Sequence, residues 1–184
     1  HPINPSKALW EKGDFTRIVA DKRRPSAPNL ILANPPYVRH HHIKPEDKVR
    51  LQRLARTLTG ADVSGLAGLY VYFVLLATSW LGDDGLAAWL IPSEFMDVNY
   101  GAALKSFLAE RVTLIRVHRF APDDVQFGDA LVSSAIVVLR KRSPPGSDHG
   151  VEFSFGGTLT RPRAHEVVPL GKLRESRKWT AFPS

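Results

Sequence analysis

Four consecutive residues, Asn34-Pro35-Pro36-Tyr37, follow an apolar run and combine a side-chain amide, two rigid imino acids and a phenol. A proline at 35 pushes Asn34 out of the helical region and fixes its own φ, and Pro36 restricts Pro35 in the same way. The loop is therefore stiff. Stiffness lets the Asn34 side-chain oxygen and the Pro35 carbonyl aim together at one small donor, such as an exocyclic NH2 group. Two acceptors grip two hydrogens, and that grip favours a tetrahedral nitrogen with its lone pair forward. An amine normally conjugated into a ring then becomes nucleophilic without a charged base. Tyr37 is placed to stack on the ring. The plainer alternative is a Pro-Pro turn after a strand, with Asn as an ordinary turn residue.

Other reactive constellations are thin. With no cysteine in 184 residues, disulfides, thiolate catalysis and cysteine-ligated zinc are excluded. His40, His41 and His42 are neighbours in a loop, a spacing that rarely converges on one ion, so no metal is expected. Phosphate or base contacts by Arg39, His40 and the cation Lys44 fit the segment better. Residues 39–56 carry six Lys/Arg against Glu46 and Asp47, and residues 140–184 carry nine against four acids, within a net charge of +7. Clustered cations of this kind read either as solvated surface or as a phosphate-facing surface that gains from counterion release. Asp123 and Asp124, after Pro122, read as a solvated turn.

The elements that must position these residues alternate in type. The run before Asn34 reads as a buried strand, residues 71–80 as a buried helix and residues 85–92 as a fully buried strand behind the turn "GDDG". Asn99 is the expected cap of a helix over 100–110, with Leu104, Phe107 and Leu108 inward, and strands follow at 112–120 and 130–140. Residues 37–69 form a long basic insertion with a polar helix around 46–58, the kind of segment that serves as a lid or stays disordered. Strands alternating with helices predict an α/β fold with a mainly parallel sheet, in which ligands collect at the carboxyl ends of strands. The Asn-Pro-Pro-Tyr loop sits at such an end. "SPPGSDHG" is a linker, dividing the chain into 1–142 and 143–184, with "VEFSF" opening a smaller unit. Nothing reaches the roughly 18 apolar residues of a membrane span, and the first residues lack signal-peptide order, so the cytoplasm is the expected location.

Over about residues 13–141 the chain resembles the amino-methylating DNA methyltransferases, and among them the gamma-class adenine-N6 enzymes of restriction-modification systems. "ILANPPYVR" looks like their catalytic motif, which gives Asn34, Pro35, Pro36 and Tyr37 catalytic places. "GDF" is similar to the motif whose acid hydrogen-bonds the adenine of S-adenosylmethionine and whose Phe packs on it, which implies those roles for Asp14 and Phe15, with Asn34 also at the cofactor. "LYVYF" resembles the helix lining the cofactor pocket, although apolar spacing makes core the better reading of Tyr70 and Phe73. "PSEF" resembles the turn bordering the target base, and "VQFGDALVSSAIVVLRK" the motif whose aromatic, here Phe127, packs on a flipped adenine. Extrusion of a base from a duplex costs a few kcal/mol, and each aromatic face offsets about 1–3 kcal/mol. The resemblance thus implies a partial Rossmann-like methyltransferase fold, S-adenosylmethionine as cofactor and double-stranded DNA as partner.

Two alternatives stay open: an enzyme of the same chemistry acting on protein glutamine or RNA, and a DNA-binding piece without catalysis. Relatives of the first kind close the next strand with an acidic-glycine ending, where this chain has "LIPSEF". Only 33 residues precede Asn34, too few for two strand-helix units of about 30 or more residues each plus "GDF". No glycine-rich turn follows a first strand. The chain is therefore expected to be an internal fragment: residues 1–142 the later part of a catalytic domain, 143–184 a linker and the start of a target-recognition domain. On its own it should be inactive, lacking an N-terminal cofactor-binding half.

Overall fold

The computed structural model describes residues 12–18, 27–124 and 133–183. Six strands form one sheet: β1 (Leu30–Ala33), β2 (Leu86–Pro92), β3 (Thr113–Arg119), β4 (Ser134–Arg140), β5 (Gly150–Thr158) and β6 (Arg161–Pro169). Their order is β1-β2-β4-β3-β5-β6. The fold is α/β, as expected. Parallel pairing joins β1 to β2 and β3 to β5, and antiparallel pairing joins β2 to β4, β3 to β4 and β5 to β6. Four strands thus share one direction while β4 and β6 run against them.

Among the described residues there are four α-helices, α1 (Pro45–Thr59), α2 (Leu69–Trp80), α3 (Ala102–Glu110) and α4 (Leu170–Glu175): α2, α3 and α4 touch the sheet, and α1 packs on α2. Helix α1 starts with Pro45 in its first turn, where no N–H is missed, carries Glu46 and Asp47 at its positive end, and stops at Gly60 in the left-handed conformation. Far from being a loose lid, it buries Leu51 and Ala55 against α2. Helix α2 is buried on most sides, with Tyr70, Val71, Tyr72, Val74 and Leu75 all within the core, which explains its uniformly apolar sequence. In α3, Leu104, Phe107 and Leu108 point inward as their spacing predicts.

Two expectations need correction. Asn99 does not cap α3: it opens a 3-10 turn, Asn99–Gly101, and the helix begins after Gly101 with no side-chain cap. Strand β1 is not buried on both faces, because Leu30 and Leu32 are 52% and 71% exposed. Residues 143–149 carry neither strand nor helix, and the strands after them extend the same sheet. Phe153 in β5, with Trp179 and Phe182 beyond α4, belongs to the same contiguous core as Trp89 and Phe95. Among the described residues no helix is long and apolar enough to cross a membrane.

Candidate active site

The Asn-Pro-Pro-Tyr loop leaves the carboxyl end of β1 and is fastened at both of its flanks. Upstream, β1 is in parallel register with β2, Ala33 opposite Trp89. Downstream, the Val38 carbonyl accepts a hydrogen bond of 2.9 Å from the Leu69 N–H, one of the donors in the first turn of α2 that has no partner within the helix. Gly68 makes the approach possible: a Cβ there would stand 3.3 Å from the Val38 oxygen and 3.0 Å from the Tyr70 ring. Pro35 is buried, whereas the Asn34 side chain is exposed. Tyr37 is half-buried; burial raises its phenol above the ordinary value, and a hydrogen bond with Ser134 offsets part of that rise.

The end of β2 closes on the same place. Ser93, in the turn Ser93–Met96, donates from its backbone N–H and its hydroxyl to the Ser133 carbonyl at 2.8 and 3.0 Å. The carboxyl ends of β1 and β2 and the first residues of β4 are thereby drawn together, with Tyr37 reaching Ser134. Glu94 of this turn is exposed and accepts a hydrogen bond from Tyr100, and its charge adds to burial in holding the Tyr70 phenol in its neutral form. Tyr70 is 1% exposed, a core residue as its spacing indicates, whereas Phe73 is only half-buried. Phe127 lies outside the described residues.

A second cluster surrounds Asp14 and Phe15. The Phe15 ring packs 5.2 Å from Phe73 and 5.3 Å from Trp80, and it lines an apolar cavity of about 750 Å³ between the Asp14–Arg17 turn, α1 and α2. Asp14 caps the turn, accepting from the Thr16 N–H at 2.9 Å and from the Thr16 hydroxyl at 2.7 Å through Oδ1. Burial works against ionisation of this carboxyl, but the two Thr16 hydrogen bonds and the charges of Arg50 and Arg17 prevail and lower its pKa. Asn34 is not among the residues lining that cavity.

Arg39 and Lys44 are exposed and His40 half-exposed, all on the segment that follows Tyr37. The three histidines form one 3-10 turn with rings edge-on at 5.3 and 4.1 Å. Asp124, read from sequence as solvated, is instead a structural hub. It accepts from the Ala121 and Gly157 N–H groups at 3.0 and 2.8 Å and pairs with Arg163 at 2.7 Å, its side chain only 12% exposed. Gly157 reaches it with φ at +70°, a conformation an L side chain rarely adopts. The signal was present as a Gly-Gly pair inside a strand, which marks close backbone approach. The Arg50–Thr16 contact left no comparable mark, because a lone arginine on a basic helix reads as surface.

The Eco57I restriction-modification methylase family matches residues 27–126, more than half of the chain. The Type II methyltransferase M.XamI of Xanthomonas campestris pv. amaranthicola is 32% identical over 130 residues, covering 68% of this chain and 24% of that protein. M.AccI of Acinetobacter calcoaceticus, also a Type II methyltransferase, is 30% identical over 108 residues, 59% of this chain and 19% of the relative. The chain thus spans about a fifth to a quarter of the length of these curated relatives. In fold it is similar to the methyltransferase subunit of a type I restriction-modification system from Streptococcus thermophilus, with a TM-score of 0.59 and 17% identity over 77% of this chain and 29% of that one. A match across β1, the Asn-Pro-Pro-Tyr loop, α2, β2 and β3 spans most of the architecture that holds the site, and the chain belongs to the Eco57I restriction-modification methylase family.

Proposed function

We propose that this chain carries the target-amine part of a DNA adenine-N6 methyltransferase that uses S-adenosylmethionine. One observation carries the reading: the Asn34–Tyr37 loop is held rigidly at the carboxyl end of a parallel strand, tied to α2 through Val38 and to β4 through Tyr37. In this reading the Asn34 oxygen and the Pro35 carbonyl hold the two hydrogens of the extruded adenine's amine, and Tyr37 and Phe127 supply the faces on which the base packs.

The Asp14–Phe15 cluster fits the cofactor in chemical type. An aromatic face over an apolar cavity suits an adenine ring, and a half-exposed carboxylate beside it suits the ring's amino group. Bound there, S-adenosylmethionine supplies an activated methyl group. This chain's residues orient the ring and, at Asn34, present the accepting nitrogen. Arg39, His40 and Lys44 face the DNA phosphates, and residues beyond this chain complete the cofactor site and read the DNA sequence.

The test is Asn34→Ala in the full-length methyltransferase. Turnover should fall below detection while affinity for duplex DNA stays within about twofold, because the lost interaction acts mainly in the transition state. Turnover close to that of the native enzyme would overturn the reading.

A further inference from the structure

The basic insertion has a second face. Its helix α1 turns Arg50 away from the exposed cations of its N-terminal end and onto the Asp14–Arg17 turn. Arg50 Nη1 donates to the Thr16 carbonyl at 2.7 Å and Nη2 to the Thr16 hydroxyl at 2.9 Å. Its Nε and Nη2 also donate to Asp47 at 3.1 and 3.0 Å, one turn back on α1, so the guanidinium is held from its own helix. Asp47 in turn receives Arg17 at 2.6 Å.

The consequence falls on Asp14. A hydroxyl has one proton to give. With Arg50 donating to the Thr16 oxygen, that proton is directed to Asp14 Oδ1, which also takes the Thr16 N–H. Oδ1 is therefore occupied twice. Among the described residues Oδ2 faces Arg17, at 3.3 Å, and both of those side chains are at least half exposed. The same helix lines the cavity beside Phe15 with Val49, Leu54 and Leu58.

We propose that Arg50 is a positioning residue of the cofactor turn: acting through Thr16, it fixes the Asp14 carboxylate so that Oδ2 is presented to the exocyclic amino group of an adenine nucleoside. The insertion is then a wall of the cofactor site as well as a DNA-facing segment. This rests on Asp14 contacting the cofactor, and the experiment separates the two claims.

In the 184-residue chain, the Asp14 carboxyl is titrated by carbon-detected NMR. Its midpoint should lie below the ordinary 3.8 and rise in both Arg50→Gln and Thr16→Val, with Arg50→Lys intermediate. Thr16→Val keeps the charge of Arg50 and removes only the relay. Arg56→Gln, which deletes another cation of α1, should leave the midpoint unchanged. In the full-length methyltransferase, Arg50→Gln should raise KM for S-adenosylmethionine about tenfold, the worth of one charge-assisted hydrogen bond, with kcat little changed. A native midpoint in Arg50→Gln, with unaltered circular dichroism, overturns the positioning role, whatever Thr16→Val shows. So does a native KM in Arg50→Gln where Asp14→Asn raises it. A native KM in Asp14→Asn overturns instead the reading of Asp14 as a cofactor contact. Should Arg50→Gln not fold, Thr16→Val and Arg50→Lys carry the same comparison.

Discussion

Two titratable residues at the carboxyl end of β3 are held in states that make stability depend on pH, in separate windows. His118 is fully buried, with Nδ1 at 2.9 Å from the Ser154 hydroxyl and its ring edge-on to Phe120. Burial first, and the charge of Arg116 second, lower its pKa, while Asp124 opposes them. The unfolded chain therefore protonates this histidine before the folded one does, and stability is lost as pH falls through about 6.5. Asp124 has a depressed pKa, chiefly from the Ala121 N–H and then from Gly157, Arg163 and His118, against the cost of burial. Its stabilisation is complete above the ordinary 3.8 and is lost as pH falls through the lower folded value. Denaturation midpoints measured from pH 8 to pH 3 should show both slopes. His118→Gln should flatten the upper window and Asp124→Asn the lower one. A stability that rises on acidification in either window would contradict the assignment.

At the scale of elements, the turn after β2 is braced by the end of the chain. The Phe95 ring lies 6.3 Å edge-on from Trp179, which also meets Phe153 at 6.0 Å and donates its indole N–H to the Leu173 carbonyl at 3.1 Å. Thr180 donates to Asp97, and Lys105 reaches the carbonyls of Met96 and Arg177. Gly101 lets the chain pass under this turn, since a Cβ there would stand 2.1 Å from the Phe95 oxygen. Trp179→Ala should destabilise the chain by about 3–5 kcal/mol in chemical denaturation, and Trp179→Phe by about 1 kcal/mol plus a small packing loss. An alanine variant within 1 kcal/mol of native would show that the brace is superficial.

The brace also marks where sequence reading stops. Helix α3 was legible from its apolar spacing, and helix α2 and strand β2 from apolar runs bounded by turn signals, all of them local features. The Asn-Pro-Pro-Tyr loop was legible because two prolines restrict backbone at adjacent residues. What was not legible depends on partners far apart in the chain. Examples are "VEFSF" pairing beside β3, Trp179 on Phe95, Asp124 under Gly157 and Arg50 on Thr16, separated by up to 84 residues between Phe95 and Trp179. A residue's type says what it can bond, and only the fold says what lies opposite.

Taken as a whole molecule, the sheet is finished unevenly at its two sides. On the β6 side the last strand is antiparallel and rich in charge, with Arg161, Arg163 and Glu166 along it, a composition that discourages further pairing. On the other side β1 is short, parallel and apolar. Its residues alternate: Ile31 and Ala33 pack on the core, while Leu30 and Leu32, two apart and so on one face, are 52% and 71% exposed. Parallel strands are ordinarily covered on both faces, and two adjacent leucines left in water on such a strand mark a surface suited to cover by other protein. In the isolated chain that cover is not made by the described residues, so the leucines should contribute to association rather than to folding. Leu32→Ser in the 184-residue chain should change the free energy of unfolding by no more than about 0.5 kcal/mol, the range of ordinary surface substitutions. The same variant should raise the concentration at which light scattering detects self-association. In a longer protein of this family that contains the chain and covers this face, the cost should instead reach about 2 kcal/mol or more, as for a buried leucine. A cost of that size already in the isolated chain would mean that Leu32 is covered there, and equal small costs in both proteins would mean that nothing in the longer protein covers β1.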